Sequence, residues 1–414
     1  MRLGTVGAGA AAVVAMIIGA SMPVQAVLEA DDERVVAIEA LLDRREEAVR
    51  QGDLDGWMAT VDPQAASEFQ AAQRRAFRGW STVPLASYTL EVVPEDVGDL
   101  AVGLGDRLTA RYGTSDVFLP ETVRRYRLAG YDDRDMFEFL FLTYVERDGT
   151  WYVAGDDDVR SLGLDTAKAL WELTDVRVLP SEHYLVISPV GLAARADQIT
   201  RIAEAAFDRF DSLWDRSWSG RLPLILPGSV AELERILQST FDLTSFVAFV
   251  AYDADRDDGD FATSAPRIYI QDQNLSRHPE AFQLETLVHE LVHAASAEMA
   301  GPFSEAWVQE GLAEWITDGR PDGRPSPPAG SDGVMPDNFE FTTGAQGSIL
   351  AAYGESKAAF AAIARAAGGP APVDFFAAVG SRRAHPGTSD YNTGAALASV
   401  TGLTLDDLRN ALVR

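Results

Sequence analysis

Residues 287–296 read LVHELVHAAS, an apolar run that holds His289, Glu290 and His293. Such a segment can be buried only if the rest of the chain supplies partners, because a buried polar group left unpartnered costs about 1–3 kcal/mol. The longer stretch SRHPEAFQLETLVHELVHAASAEMAGP has the punctuation of one helix. Pro279 suits a first helical position and Gly301-Pro302 closes it. Phe282, Leu284, Leu287, Leu291, Val292 and Ala295 supply a broad apolar side. His289 and His293, four residues apart, stack one turn above the other, so both imidazoles can reach a single ion. Glu290 stands beside the first histidine, where it can reach a water rather than the ion. Neutral imidazole is a good zinc ligand, and this spacing is the way two helical histidines hold zinc with a glutamate as general base. Two histidines on a buried helix are also compatible with satisfied core residues, and a third ligand separates the two cases.

Residues 304–316, SEAWVQEGLAEWI, offer that ligand. Ser304 is a candidate N-cap, with Trp307, Leu312 and Trp315 marking an apolar face. Glu310 and Glu314 are four apart and project from one side. Sixteen residues separate His293 from Glu310, enough for the chain to reverse and lay a second helix on the first. Glu310 can then complete a His-His-Glu set with one open position, the arrangement of catalytic zinc. Glu314, one turn on, can accept the free ring N–H of a ligand histidine. Without that reversal the two carboxylates would simply lie on a solvated face.

HELVH followed by WVQEGLAEW resembles the gluzincin peptidases, and most closely the bacterial peptidase MA-like metallohydrolases, over residues 176–414. The resemblance implies a zincin-type (thermolysin-like) domain of mixed sheet and helices holding one Zn²⁺. It makes His289, His293 and Glu310 the ligands, Glu290 the general base and Glu314 the residue behind the ligands. Thermolysin-type enzymes usually carry Asp at the Glu314 position. The strand PRIYIQD, residues 266–272, resembles the edge strand on which such enzymes pair an extended substrate, assigning that role to Arg267, Ile268, Tyr269 and Ile270. ILAAYGESKAAFAAIARAAG resembles the helix after the metal site, with Tyr353 as the oxyanion donor and His385 and Tyr391 as weaker alternatives. The GxMEN sequence of aminopeptidase N is missing, which favours an endopeptidase acting on peptide or protein substrates.

Absence of cysteine rules out thiol catalysis, thiolate metal sites and disulfides. A formal net charge of −28 argues against a nucleic-acid partner, because phosphate binding needs a basic surface. At the N-terminus, Arg2, the apolar run GAGAAAVVAMIIGASM and Val24-Gln25-Ala26 form a secretory signal, with cleavage expected after Ala26. The alternative is an uncut anchor through residues 3–22, the one route to a membrane. Both place the folded chain outside the cytoplasm, secreted or at the cell surface.

Before the metal motifs the chain reads as α+β. Residues 33–50 have helical apolar spacing that ends at Gln51-Gly52-Asp53, and a second helical portion runs through Trp57, Phe69 and Phe77. From about residue 86 the period becomes two, in SYTLEVV, RLTARYG, TVRRYRLAGY and MFEFLFLTYVERDGTWYVAGDD, with Asp148-Gly149 as a hairpin turn. Over residues 31–160 this order resembles the cone-like nuclear transport factor 2-like (polyketide-cyclase-like) fold. That segment has no histidine, so a non-catalytic module is expected, with a small ligand or protein as partner. Residues 161–175 read as a connector helix. RVLPSEHYLVISPV reads as a hairpin, GLAARADQITRIAEAAFDRFDSLW (191–214) as a helix, RLPLILPG as a strand, 229–239 as a helix, and 246–252 and 266–271 as strands. The Pro/Gly-rich block 319–338 reads as a long surface loop before a helix at 348–366. DADRDDGD, residues 253–260, resembles a calcium loop, but its Gly is one place late and Ser264 stands where Glu should close it, so it reads as a solvated acidic loop. Two other functions fit the same residues: a surface scaffold that keeps a zincin fold, and a zinc hydrolase of a non-peptide amide.

Overall fold

The computed structural model describes residues 33–96, 103–114, 116–238, 243–255, 262–301, 304–341, 346–381 and 389–413. Residues 1–26, read above as a secretory signal, His385 and residues 256–260 of the acidic stretch lie outside the described residues, as do the side chains of Tyr391 and Ser264. The architecture is mixed α+β.

Helices come first. The amphipathic α1 (Glu33–Gln51) buries Ile38, Leu41, Leu42 and Val49, and α2 (Leu54–Met58) is capped by Asp53, whose carboxylate accepts the Gly56 N–H at 2.9 Å. After α3 (Ser67–Thr82) the chain alternates into strands: β1 (Leu85–Asp96), β2 (Val117–Phe118), β3 (Pro120–Leu128), β4 (Met136–Phe141), β5 (Thr143–Arg147) and β6 (Thr150–Gly155). They form two antiparallel three-stranded sheets, β1-β3-β4 and β2-β5-β6. Asp148 (φ 52°) and Gly149 (φ 82°) make the β5–β6 turn with both central residues left-handed, as a type I′ hairpin requires.

RLTARYG is not a strand. It belongs to the helix α4 (Leu104–Tyr112). Leu108, Ala110 and Tyr112 alternate, but Leu104, Leu108 and Tyr112 are the residues buried, at intervals of four. The helical face shows only when the reading begins at Leu104, upstream of the quoted stretch.

The short α5 (Leu170–Leu173) leads into a five-stranded sheet of order β10-β11-β9-β8-β7. Here β7 (Val176–Pro180) and β8 (Tyr184–Pro189) form the expected hairpin, and α6 (Ala193–Asp211) crosses over to β9 (Leu222–Ile225), parallel to β8. Past α7 (Val230–Leu237), β10 (Ala248–Asp255) and β11 (Ala262–Ile270) pair antiparallel. The helices α8 (Asp272–Leu275), α9 (Glu280–Ser296), α10 (Ala306–Thr317), α11 (Gln346–Ala367), α12 (Ala371–Gly380), α13 (Ser389–Thr401) and α14 (Leu405–Leu412) complete the chain. Among the described helices none is long and apolar enough to cross a membrane.

The period of two in this sheet divides two cores. Tyr184, Val186, Leu224, Val250, Ile268 and Ile270 join the helices α6, α9, α10 and α11 on the front. Leu185, Ile187, Ile225, Phe249 and Tyr269 join Phe77, Trp80, Tyr126 and Trp171 on the back. Trp171 meets Trp80 and Tyr126 edge-on, at 5.2 and 5.9 Å between ring centroids, and such pairs add about 0.5–1.5 kcal/mol beyond the area they bury. The segment 161–175 is therefore part of this seam: a four-residue helix whose Leu170, Trp171 and Glu172 are buried.

The topology corrects the expected edge strand. PRIYIQD lies in β11, which is flanked by β9 and β10, so Arg267, Ile268, Tyr269 and Ile270 form an inner strand. The outer strand on this side is β10. Both strands carry buried apolar residues, and parallel pairing with β9 draws β11 inward.

Candidate metal centre

The helix α9 is buried on nearly all sides from Thr286 to Ser296, packed among α6, α10 and β10. Pro279 sits one residue before the first turn, with extended backbone (ψ 151°), as its N-cap. The chain turns back through Gly301 into α10, whose N-cap is Glu305 rather than Ser304. The Ser304 hydroxyl instead accepts the Gly301 N–H at 3.3 Å, tightening the reversal.

This reversal brings His289, His293 and Glu310 together. Nε2 of His289 lies 3.0 Å from Nε2 of His293 and 3.1 Å from Oε2 of Glu310. The third side, His293 Nε2 to Glu310 Oε2, is 3.4 Å. Two donors each about 2.0–2.1 Å from one tetrahedral ion would stand roughly 3.3 Å apart. On the far side of the His289 ring, Nδ1 is 3.3 Å from Oε1 of Glu314. With its proton on Nδ1, facing Glu314, the His289 ring would present the Nε2 lone pair to an ion held among the three donors. Lone pairs on converging nitrogen and carboxylate atoms repel unless a proton or a cation lies between them. This buried triad could hold a metal ion.

Relative exposures are 4% for His289, 0% for Glu290, 4% for His293 and 2% for Glu310. Burial and charge then set the protonation states. Burial alone would raise the Glu310 carboxyl, but His293 and His289 outweigh it and hold it down at about 2. Burial opposes the charged form of His289, yet Glu310 and Glu314 hold that ring well above its usual value. His293 is lowered, chiefly by burial. Burial pushes Glu290 up to about 8 against the pull of His289. Neither Glu290 oxygen has a partner in hydrogen-bond geometry; the Val250 N–H on β10 is close enough to favour the carboxylate without cancelling the burial.

Tyr353, on α11, comes to the same place. Its ring centroid is 6.2 Å from that of His289, and its buried hydroxyl has no partner in hydrogen-bond geometry although Glu310 is close. Phe341 stacks edge-on against it at 5.3 Å. Arg267 is not at this centre: on the back of the sheet its Nη2 donates to Asp132 at 2.8 Å, in a fully buried pair that ties β11 to the N-terminal region. Tyr269 faces the same back core, while Ile268 and Ile270 pack beneath the helices.

Three features of the centre were not read from the sequence. Val250 acts through its backbone N–H, which a side-chain pattern does not reveal. Phe341 follows the irregular block 319–338, which is laid along α10 and α11: the Trp315 indole donates to the Pro321 carbonyl at 2.8 Å, and the Ala306 N–H to the Asn338 side chain at 2.9 Å. Gly311 lets α10 approach α11, since a Cβ there would stand 2.6 Å from the Phe360 ring and 2.9 Å from the Ser356 carbonyl. Its only sequence signal is a glycine beside Glu310 inside an otherwise helical pattern.

No protein-family model matches the chain, and no curated protein or solved structure is similar enough to count as a match.

Proposed function

We propose that this chain is an exported zinc-dependent peptidase of gluzincin type, acting as an endopeptidase on peptide or protein substrates. In the same proposal residues 176–414 are the catalytic zincin-type domain, and residues 31–160 are a non-catalytic module of the cone-like kind. The carrying observation is the triangle of His289, His293 and Glu310 donors, 3.0–3.4 Å on a side, with the buried Glu290 carboxyl beside it.

A zinc ion bound by His289, His293 and Glu310 would supply Lewis-acid polarisation of the scissile carbonyl and would acidify water to near neutrality. Glu290, with no internal partner to satisfy, takes the proton of the attacking water and returns it to the leaving nitrogen. Glu314 keeps the His289 ring in one tautomer and orientation. Tyr353 would offer its hydroxyl as a hydrogen-bond donor to the oxyanion that forms on the carbonyl, keeping its own proton. The outer position of β10 leaves an edge for an extended peptide.

Metal content by mass spectrometry and peptide hydrolysis, measured on the parent, His293→Ala and Glu290→Gln chains, test this. The expected result is about one zinc in the parent, little in His293→Ala, and zinc without hydrolysis in Glu290→Gln. Loss of zinc together with activity in Glu290→Gln would remove that residue from the base role. The burial of all four residues favours one second reading, a binding protein that keeps the centre for shape. Zinc in the parent with no cleavage across a peptide library would select it.

A further inference from the structure

As folded, the metal centre is closed. Glu290 is 0% exposed and Tyr353 is 4% exposed, and the Glu290 oxygens and the Tyr353 hydroxyl are shut away from solvent. A base that takes a proton from water must meet water, and an oxyanion donor must meet the substrate. For a peptide to be cleaved here, part of the wall around the centre has to move.

Most of that wall is fixed. The strand β10 is held in a ladder with β11, and α9 packs on α6 and α10. The α10–α11 contact is so close at Gly311 that a methyl group would collide. The segment 321–341 differs, because it contains neither helix nor strand. Chain held by no ladder opens at low cost, and lids are drawn from such segments.

This segment lies over three successive residues of α11. Phe341, 1% exposed, stacks edge-on against Tyr353 at 5.3 Å. Pro328 packs on Gly354, where an added Cβ would stand 2.8 Å from the proline Cγ. The Ser331 hydroxyl bonds the Glu355 carboxyl. Towards its ends the segment is latched to α10: the Pro321 carbonyl accepts the Trp315 indole N–H at 2.8 Å, and the Asn338 side chain accepts the Ala306 N–H at 2.9 Å. The Asn338 latch is exposed, so water can replace it when it parts. Pro321, Pro325, Pro327, Pro328 and Pro336 stiffen the backbone, which favours movement as one piece.

We propose that residues 321–341 are a strap that closes the metal centre and swings off Tyr353 and Gly354 to admit a peptide. This rests on the peptidase reading and adds the step that a closed centre requires.

The chain has no cysteine, so a lock can be added as its only disulfide. In Pro328→Cys combined with Gly354→Cys, the two Cβ atoms fall within the roughly 3.5–4.5 Å that a disulfide spans. Zinc-loaded chains are mixed with excess phenanthroline, and zinc release and peptide hydrolysis are timed with the lock oxidised and then reduced by a phosphine. Oxidation should slow both at least tenfold, reduction should restore both, and the parent should respond to neither treatment. Asn338→Ala, which frees one latch, should speed zinc release severalfold, and it decides the matter if the double variant holds no zinc. Slower release from the oxidised lock, with no hydrolysis by any chain, would keep the strap and remove the peptidase reading. Equal release from the oxidised and reduced lock, with the disulfide confirmed by mass, would overturn the strap even in an active peptidase. So would unchanged release in Asn338→Ala where that variant decides, and a parent that holds no zinc would remove strap and metal reading together.

Discussion

Oε1 of Glu314 lies 3.3 Å from Nδ1 of His289, while Oε2 of Glu310 lies 3.1 Å from Nε2 of the same ring. One imidazole is thus gripped at both nitrogens by carboxylates one helical turn apart on α10. In the proposed metal-bound centre, Glu314 would hold the proton on Nδ1 and leave Nε2 for the ion. Glu314→Ala should therefore lower zinc affinity by about 10–100-fold, the usual effect of losing such a partner. Glu314→Asp, which keeps the charge on a shorter arm, should recover part of the loss. Competition with a chelator of known affinity measures both. Equal affinity in all three chains would mean that Glu314 does not orient the ring.

Gly311 sits directly after Glu310, where α10 and α11 come closest. A methyl group there would have to displace the Phe360 ring or the Ser356 carbonyl. Gly311→Ala should cost about 1–3 kcal/mol, as overpacking does. It should also weaken zinc binding, because α10 carries Glu310 outward with it. Chemical denaturation and metal titration read the two effects separately.

The Arg124–Glu172 pair makes stability depend on pH. Burial would raise the Glu172 carboxyl, but Arg124 and then Lys168 outweigh it and hold the group below its ordinary 4.5. A depressed acid binds its proton less readily in the folded chain than in the unfolded one. Its contribution is complete above about pH 4.5 and is lost as pH falls through the lower, folded-state value. Glu172→Gln should flatten the acid limb of the stability profile. At neutral pH it should cost about 1.5–3 kcal/mol, because Arg124 loses one charged partner while Glu138 still compensates its charge. Denaturation between pH 3 and 7 follows both chains.

Asp132 and Arg267 bind the N-terminal region to the middle of the five-stranded sheet, with side-chain exposures of 0% and 2%. Asp132→Ala strands the guanidinium and should cost about 3–5 kcal/mol. Asp132→Leu combined with Arg267→Met should recover most of that loss, since an apolar pair of similar size avoids desolvating either charge. The aromatic seam around Trp171 predicts further that both regions unfold in one transition. Two separate calorimetric transitions in the parent chain would show that the seam does not bind them.

Local patterns were legible wherever one period dominated. The helical spacing through residues 33–50, the Asp148-Gly149 turn and the RVLPSEHYLVISPV hairpin all formed as the residues imply, because the face each buries is written in its own apolar spacing. The helix of His289 and His293 was legible for the same reason, and Glu310 because a reversal of suitable length lies between the motifs. RLTARYG failed because its residues satisfy two periods at once, and only the neighbouring Leu104 separates them.

What the sequence determined alone was which side chains share a helix face, and therefore that His289 and His293 point one way and that Glu310 and Glu314 point another. Tertiary structure decided what those faces meet. Pairing with β9 placed β11 inside the sheet and left β10 on its edge, a strand order that no local pattern contains. The back of the same sheet came to rest on Trp80, Tyr126 and Trp171, so Arg267 ended at Asp132 rather than beside His289, His293 and Glu310. Side-chain direction along an element follows from backbone geometry. Strand order and the partner across a core follow from which surfaces exclude the most water together, and that is a property of the whole chain.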